Sequence, residues 1–143
     1  MYYYFNKWSK DGSFKKAWIN LLSGNKSLVD MSSAQLDGSH TPHLPNGEER
    51  LWDIRVGKLP RTGNSLFLCD NTGQMLAVSK AQCGEHNDLY DIANLFKEMI
   101  EVLEHADIGY KGIFLNADPG FDSEELKSLC AENEIELNVK PKK

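Results

Sequence analysis

Phe114-Leu115-Asn116-Ala117-Asp118-Pro119-Gly120-Phe121-Asp122-Ser123 is the stretch whose reading decides the fold. Gly112-Ile113-Phe114-Leu115 is a continuous apolar run, the pattern of a strand buried on both faces. It meets Asp118, a Pro-Gly turn, and then the start of a helix. Asp122 as N-cap with Glu125 three residues on is a capping-box pattern, with Phe121 and Leu126 at staple positions. A counterpart lies upstream at Gln35-Leu36-Asp37-Gly38-Ser39-His40, where a short strand from Met31 to Leu36 is expected to end at Asp37. Two carboxylates delivered from the ends of two core strands suit a divalent-metal phosphoryl-transfer site. Two Mg²⁺ or Mn²⁺ ions roughly 3.5–4 Å apart stabilise the attacking and leaving oxygens in such sites. Asp before Gly or Pro is equally a turn residue, so the spacing by itself leaves both readings open.

The remaining elements read outward from this pair. Phe14, Ala17, Trp18, Leu21 and Leu22 recur at helical spacing behind Ser13, a plausible N-cap, and Gly24-Asn25 closes that helix. The aromatic cluster at the N-terminus reads as a helix packing on the core, with the alternative that its lysines contact DNA. Ser65–Cys69 and Met75–Val78, joined by Asp70-Asn71-Thr72-Gly73, form a hairpin. Leu89, Ile92, Ala93, Phe96, Met99, Ile100 and Leu103 mark one face of a helix expected to start near Asn87, with His105 and Gly109 closing it. Leu126, Leu129 and Cys130 face inward on the next helix, and Ile135, Leu137 and Val139 alternate as a last strand. The order implies an α/β fold: a mixed sheet whose first and fourth strands are neighbours, with flanking helices.

The chain has 143 residues, 41% hydrophobic and 26% charged, which favours one folded domain over disorder. No apolar run is long enough to span a membrane, and Tyr2-Tyr3-Tyr4-Phe5 followed by polar residues does not resemble a signal peptide. Cys69, Cys83 and Cys130 are odd in number and lack a Cys-x-x-Cys, so they read as reduced thiols of a cytoplasmic protein. The net charge of −5 is uneven: residues 1–29 carry five Lys and one Asp, whereas residues 85–136 carry 14 acidic side chains and three Lys. Any DNA contact would therefore fall to Lys7, Lys10, Lys15 and Lys16, and to Arg50, Arg55, Lys58 and Arg61 in the long segment 39–63, where Trp52 offers a stacking face. Glu48, Glu49 and Asp53 dilute that second group, and a solvated loop is an equal reading. His40 and His43 lack cysteine partners spaced for zinc, and Cys83 beside His86 has no nucleophile signature.

Several segments, in order, resemble the bacterial insertion-sequence DDE transposases. Phe5-Asn6-Lys7-Trp8-Ser9-Lys10-Asp11-Gly12 is similar to the F-x-x-W-x-x-x-G segment before their catalytic domain. Leu36-Asp37-Gly38-Ser39-His40 looks like the first catalytic motif, and Ala117-Asp118-Pro119-Gly120-Phe121-Asp122-Ser123 like the second. The segments Asn64–Asp70 and Gly73–Val78 resemble the family hairpin, and Gly84-Glu85-His86-Asn87-Asp88 its G-x-x-H-D/N helix entry. The resemblance implies a ribonuclease-H-like five-stranded mixed sheet with flanking helices. It also implies Mg²⁺ or Mn²⁺ as cofactor, Asp37 and Asp118 as catalytic metal ligands, and His86 as an auxiliary group. The activity implied is metal-dependent phosphodiester hydrolysis and strand transfer in DNA transposition. Implied partners are transposon ends and target DNA, a full-length transposase, or a second copy of the chain, in the bacterial cytoplasm with the nucleoid. Residues 1–29 become a helical segment preceding a partial core at residues 30–143. The family's third acidic residue, a Glu on a Y-x-x-R-x-x-x-E helix, lies downstream of the second motif. Glu132, Glu134 and Glu136 do not match that motif, and the chain ends at Lys143. The expectation is a fold incomplete at its C-terminus, from a decayed element or a split gene, or alternatively an inactive remnant that binds DNA or inhibits a transposase.

Overall fold

The computed structural model describes residues 2–42, 62–80, 82–83 and 89–140. The chain runs α1 (Tyr2–Lys10), α2 (Ser13–Gly24), a 3-10 turn (Lys26–Leu28), β1 (Ser33–Pro42), β2 (Thr62–Asp70), β3 (Met75–Val78) and β4 (Gln82–Cys83). Then follow α3 (Ile92–His105), β5 (Phe114–Ala117), a 3-10 turn (Pro119–Phe121), α4 (Glu124–Glu132) and β6 (Glu136–Val139). Five strands form the expected mixed sheet in the order β3-β2-β1-β5-β6, and the two-residue β4 pairs with the opening of β2. β1–β2 and β2–β3 are antiparallel, whereas β1–β5 and β5–β6 are parallel. The expected adjacency of the first strand and the strand before Asp118 therefore holds.

Strand period two sorts the sheet into two faces. Ala34, Leu36, Leu66, Leu68, Ala77 and Leu115 are buried and share one core with Phe96, Met99 and Leu103 of α3 and Leu126 and Cys130 of α4. The opposite face is half-buried or exposed. Its middle row runs Cys69, Gln35, Asn116, Asn138 across the sheet, with Val78, Phe67 and Asp37 in the row beside it. The β5 strand is thus covered on one face only, since Phe114 is 51% exposed while Leu115 is buried. Its apolar run suggested burial on both faces.

Local physics moves several boundaries. β1 runs on to Pro42 because β2 pairs with it from Ala34↔Asp70 to Pro42↔Thr62, so Asp37 is mid-strand and not at a strand end. The parallel ladder to β5, however, stops at Leu36↔Ala117, one residue before Asp37. α4 is capped by Ser123 and not by Asp122: Ser123 is extended and its Oγ accepts from the Leu126 amide at 3.2 Å. Asp122 instead pairs with Lys127 at 2.9 Å. α3 begins at Ile92, because Asp91 is held in the left-handed region at φ 52°; the part of the expected helix at residues 87–88 lies outside the described residues. Its end is turned by Asp107, φ 56°, and not by Gly109.

The N-terminal segment departs most from expectation. Residues 2–10 form a helix with no buried residue, and its aromatic side chains pack on one another and on Phe14 instead of on the core. In α2 the inward side is Trp18, Ile19 and Leu22, leaving Phe14 and Leu21 exposed. Asp11, not Ser13, opens α2: its Oδ1 accepts from both the Ser13 amide and hydroxyl. The Trp18 indole donates to the Leu76 carbonyl at 2.8 Å, fastening α2 to the β3 edge. Among the described residues no helix is long and apolar enough to cross a membrane.

Candidate metal centre

Asp37 and Asp118 come together because β1 and β5 are parallel neighbours in matched register. The last registered pair is Leu36↔Ala117, so one further step sets Asp118 against Asp37. Neighbouring strands lie about 4.8 Å apart. Both aspartates are exposed, and both line one shallow cavity of about 230 Å³ with Gln35, Leu36, Asn116 and Ala117. Asp37 Oδ1 accepts from the Gly38 amide at 2.8 Å, which orients that carboxylate locally. Asp118 is extended (φ −65°, ψ 157°), and its carbonyl accepts from the Phe121 amide at 2.9 Å to start the 3-10 turn. Its carboxylate makes no capping bond to that turn.

The cavity also holds two side chains the sequence reading passed over. Gln35 and Asn116 are registered partners, each two residues before an aspartate in its own strand. The signal was present: Gln35-Leu36-Asp37 and Asn116-Ala117-Asp118 are both amide-x-Asp, and period two puts amide and carboxylate on one face. Asn138 of β6 donates from Nδ2 to Asn116 Oδ1 at 2.7 Å, tying the third parallel strand to the site. On the other side, the half-buried Cys69 thiol is pushed up by burial and by the nearby charges of Asp70 and Asp37.

Other acidic groups are engaged elsewhere. Lys127 holds both Glu124 and Asp122, and these hydrogen bonds raise its own ammonium well above the usual range. Glu134 pairs with Lys111 at 2.8 Å, and Glu136 stands opposite Phe114 in β6. Among the described residues no group of three or more His, Cys, Asp or Glu is arranged to hold a metal ion. Two carboxylates flanked by amide oxygens are nevertheless a hard-oxygen donor set, which suits Mg²⁺ or Mn²⁺ with retained waters better than a soft ion.

The lysines singled out from the sequence are not at this cavity. Lys7 and Lys10 are exposed on α1, and Lys15 and Lys16 on α2, with Lys15 at 3.9 Å from Glu101 of α3. Arg50, Arg55, Lys58, Arg61, His43 and His86 lie outside the described residues.

No protein-family model matches the sequence, and no curated protein matches it. Solved structures do match the fold. One is the Mos1 transposase paired-end complex with left transposon end, with TM-score 0.53 and 10% identity over 86% of this chain. The Mos1 mariner paired end complex with Mn follows at TM-score 0.50 and 9% identity, again over 86% of this chain. The HTLV-2 integrase catalytic core domain in complex with magnesium is a weaker likeness, at TM-score 0.45 and 19% identity over 80% of this chain and 64% of that one. This chain spans about 40% of the Mos1 chain. At such identities the likeness is one of fold: the chain has the ribonuclease-H-like α/β architecture, a mixed sheet with flanking helices.

Proposed function

We propose that this chain is the catalytic-core portion of a DNA transposase of the bacterial insertion-sequence DDE type, with Asp37 and Asp118 as ligands of a divalent Mg²⁺ or Mn²⁺. The observation that carries the reading is the pair of amide-x-Asp strands, adjacent and parallel in a ribonuclease-H-like sheet, lining one cavity. The Mos1 structures add support, since one is described with a transposon end and another with Mn. A bound cation would supply Lewis-acid stabilisation for phosphodiester hydrolysis and strand transfer. The Asp37 carboxylate is held toward the cavity by the Gly38 amide, and Asp118 leaves its carboxylate out of the turn that follows it. Gln35 and Asn116 are the neutral polar groups beside them, suited to water or phosphate oxygens.

Lys7, Lys10, Lys15 and Lys16, with Arg50, Arg55, Lys58 and Arg61, are the proposed contacts to transposon-end and target DNA, and His86 a proposed auxiliary group. Residues 1–29 act on this reading as a segment ahead of a partial core at 30–143, in the bacterial cytoplasm with the nucleoid. A second reading is a non-catalytic remnant that binds DNA or a full-length transposase. It is favoured by the lack of a third acidic ligand near Asp37 and Asp118 among the described residues.

Calorimetric titration with Mn²⁺ tests the site. Wild type is expected to bind, and Asp37→Asn and Asp118→Asn each to abolish binding while melting normally, because both side chains are exposed. Binding that survives either substitution removes the pair from the site. A strand-transfer assay on transposon-end DNA then separates the two readings: turnover eliminates the remnant.

A further inference from the structure

β1, β5 and β6 each place one amide in a single row: Gln35 is registered with Asn116, and Asn116 with Asn138. Parallel strands in matched register set these side chains on one face, with about 4.8 Å from strand to strand. A primary amide has two unlike ends, an oxygen that accepts and an NH₂ that donates, so such a row has a direction. β6 sets that direction. Asn138 Nδ2 donates to Asn116 Oδ1 at 2.7 Å, which turns the Asn116 oxygen toward β6 and its NH₂ away from it. That NH₂ has no acceptor among the described residues. Asn116 lines the cavity of the two aspartates, whereas Asn138 stands outside it on the far strand.

The other polar groups of the cavity are of a different kind. Asp37 and Asp118, once ionised, can only accept hydrogen bonds. The Gly38 amide is already given to Asp37 Oδ1 at 2.8 Å. Gln35 is exposed and can present either end of its amide. Asn116 is therefore the cavity side chain whose amide a neighbouring strand orients, and it is oriented as a donor. The two ligands of a phosphoryl-transfer site ask for opposite things. A divalent cation takes oxygens, whereas a non-bridging phosphate oxygen takes N–H groups.

We infer that Asn116 Nδ2 donates to a non-bridging oxygen of the phosphodiester in this cavity, and that Asn138 is the positioning residue that keeps the Asn116 amide from turning over. The inference rests on the divalent-metal reading of Asp37 and Asp118, because without a cation two carboxylates repel a phosphodiester. Within that reading it divides the lining by task. The aspartates hold the cation, Asn116 meets the substrate, and Gln35 keeps the uncommitted amide oxygen beside them. Asn138 acts without touching either ligand. Its side chain is exposed at the sheet edge, where one neutral hydrogen bond contributes little to folding, so its effect is on orientation and not on stability.

Amide NMR on the full chain with Mg²⁺ and the thymidine dinucleotide dTpdT tests the assignment. The Gly38 backbone amide, bonded to Asp37 Oδ1, reports the cation. The Asn116 side-chain NH₂ signal, identified by its loss in Asn116→Ala, reports the phosphodiester. Mg²⁺ is expected to move Gly38, and dTpdT added with Mg²⁺ to move the Asn116 NH₂ downfield. Asn116→Ala should raise the dTpdT Kd, read from its phosphorus signal, on the order of 10-fold, what one hydrogen bond to a charged oxygen supplies. Its Mg²⁺ affinity should hold. Asn138→Leu should raise the dTpdT Kd roughly 2- to 5-fold, since only a fraction of the freed amides is then poised to donate. In the Asn116→Ala background the same substitution should add nothing. The amide spectra themselves check that each variant is folded. A Gly38 amide that Mg²⁺ leaves unmoved removes the metal centre and this inference with it. A Gly38 that moves while the Asn116 NH₂ ignores dTpdT overturns this inference alone, as does an Asn116→Ala that loses Mg²⁺. An Asn138→Leu effect that persists without Asn116 ends the positioning role.

Discussion

Asp70 sits at the end of β2 with its side chain fully buried, and its carboxylate ties three segments together. Oδ1 accepts from the Thr72 amide at 2.9 Å, the Thr72 hydroxyl at 2.8 Å and the Gln74 amide at 2.8 Å. Oδ2 accepts from the Asp30 amide at 2.9 Å, reaching the connection that feeds β1. Asp70→Ala deletes all four bonds. Hydrogen bonds to a charged group are worth ~1.5–3 kcal/mol each. Water can reach the exposed Thr72 and Gln74 donors in the variant, so the expected net cost is ~3–5 kcal/mol, similar to breaking a buried charge network. For a chain of this length that corresponds to a melting-point drop of ~10–20 °C. Asp70→Asn keeps the shape but presents an NH₂ to one of the donors, for a cost of ~1–3 kcal/mol.

The acid limb offers a second readout. Burial alone would raise the Asp70 carboxyl, but the hydrogen bonds from Asp30, Thr72 and Gln74 outweigh it, and the folded-state pKa lies below the ordinary value. Its contribution is therefore fully present above the unfolded carboxyl pKa of about 3.9 and is lost as pH falls through the lower folded value. Urea denaturation followed by tryptophan fluorescence at pH 7 and at points below pH 4 measures both effects. The asparagine variant should show a shallower loss of stability in acid than wild type. An alanine cost below ~1 kcal/mol, or an asparagine variant with the wild-type acid slope, refutes the reasoning.

Two further outcomes follow from local geometry. Ser123→Ala should cost ~1 kcal/mol by chemical denaturation, because the hydroxyl caps the Leu126 amide. Asp122→Ala, which loses a pairing to Lys127 and not the helix cap, should cost less; the reverse order would return the cap to Asp122. Burial pushes the Cys130 thiol up to about 11, so at pH 8 a thiol reagent mapped by mass spectrometry should label it only on unfolding.

How much was legible in the sequence depended on whether a residue's neighbours were local. The β2–β3 hairpin was readable because Asp70-Asn71-Thr72-Gly73 carries its turn chemistry within four residues, and Gly73 takes the left-handed φ of 85°. The inward faces of α3 and α4 were readable because helical period repeats them. The end of β1 was not, because its length is set by pairing to β2 across a long segment, and nothing near Asp37 announces it. The α4 cap was misassigned by one residue because Asp122 and Ser123 are both good caps; Ser123 takes the Leu126 amide while Asp122 pairs with Lys127. The juxtaposition of Asp37 and Asp118 followed from topology, whereas Gln35 and Asn116 needed the parallel register to be seen. α1 hid because an aromatic segment conventionally signals a core, and here its faces have no core to meet.

The two aspartates are mounted on unequal supports. Asp37 lies inside a nine-rung ladder to β2 and moves only if that ladder moves. Asp118 follows a four-residue strand and heads a single 3-10 turn, held there through its backbone. One jaw of the cavity is therefore stiff and the other compliant. Were the pair to hold a cation as proposed, a change in spacing would be expected on the Asp118 side, where a single turn and not a ladder carries the residue.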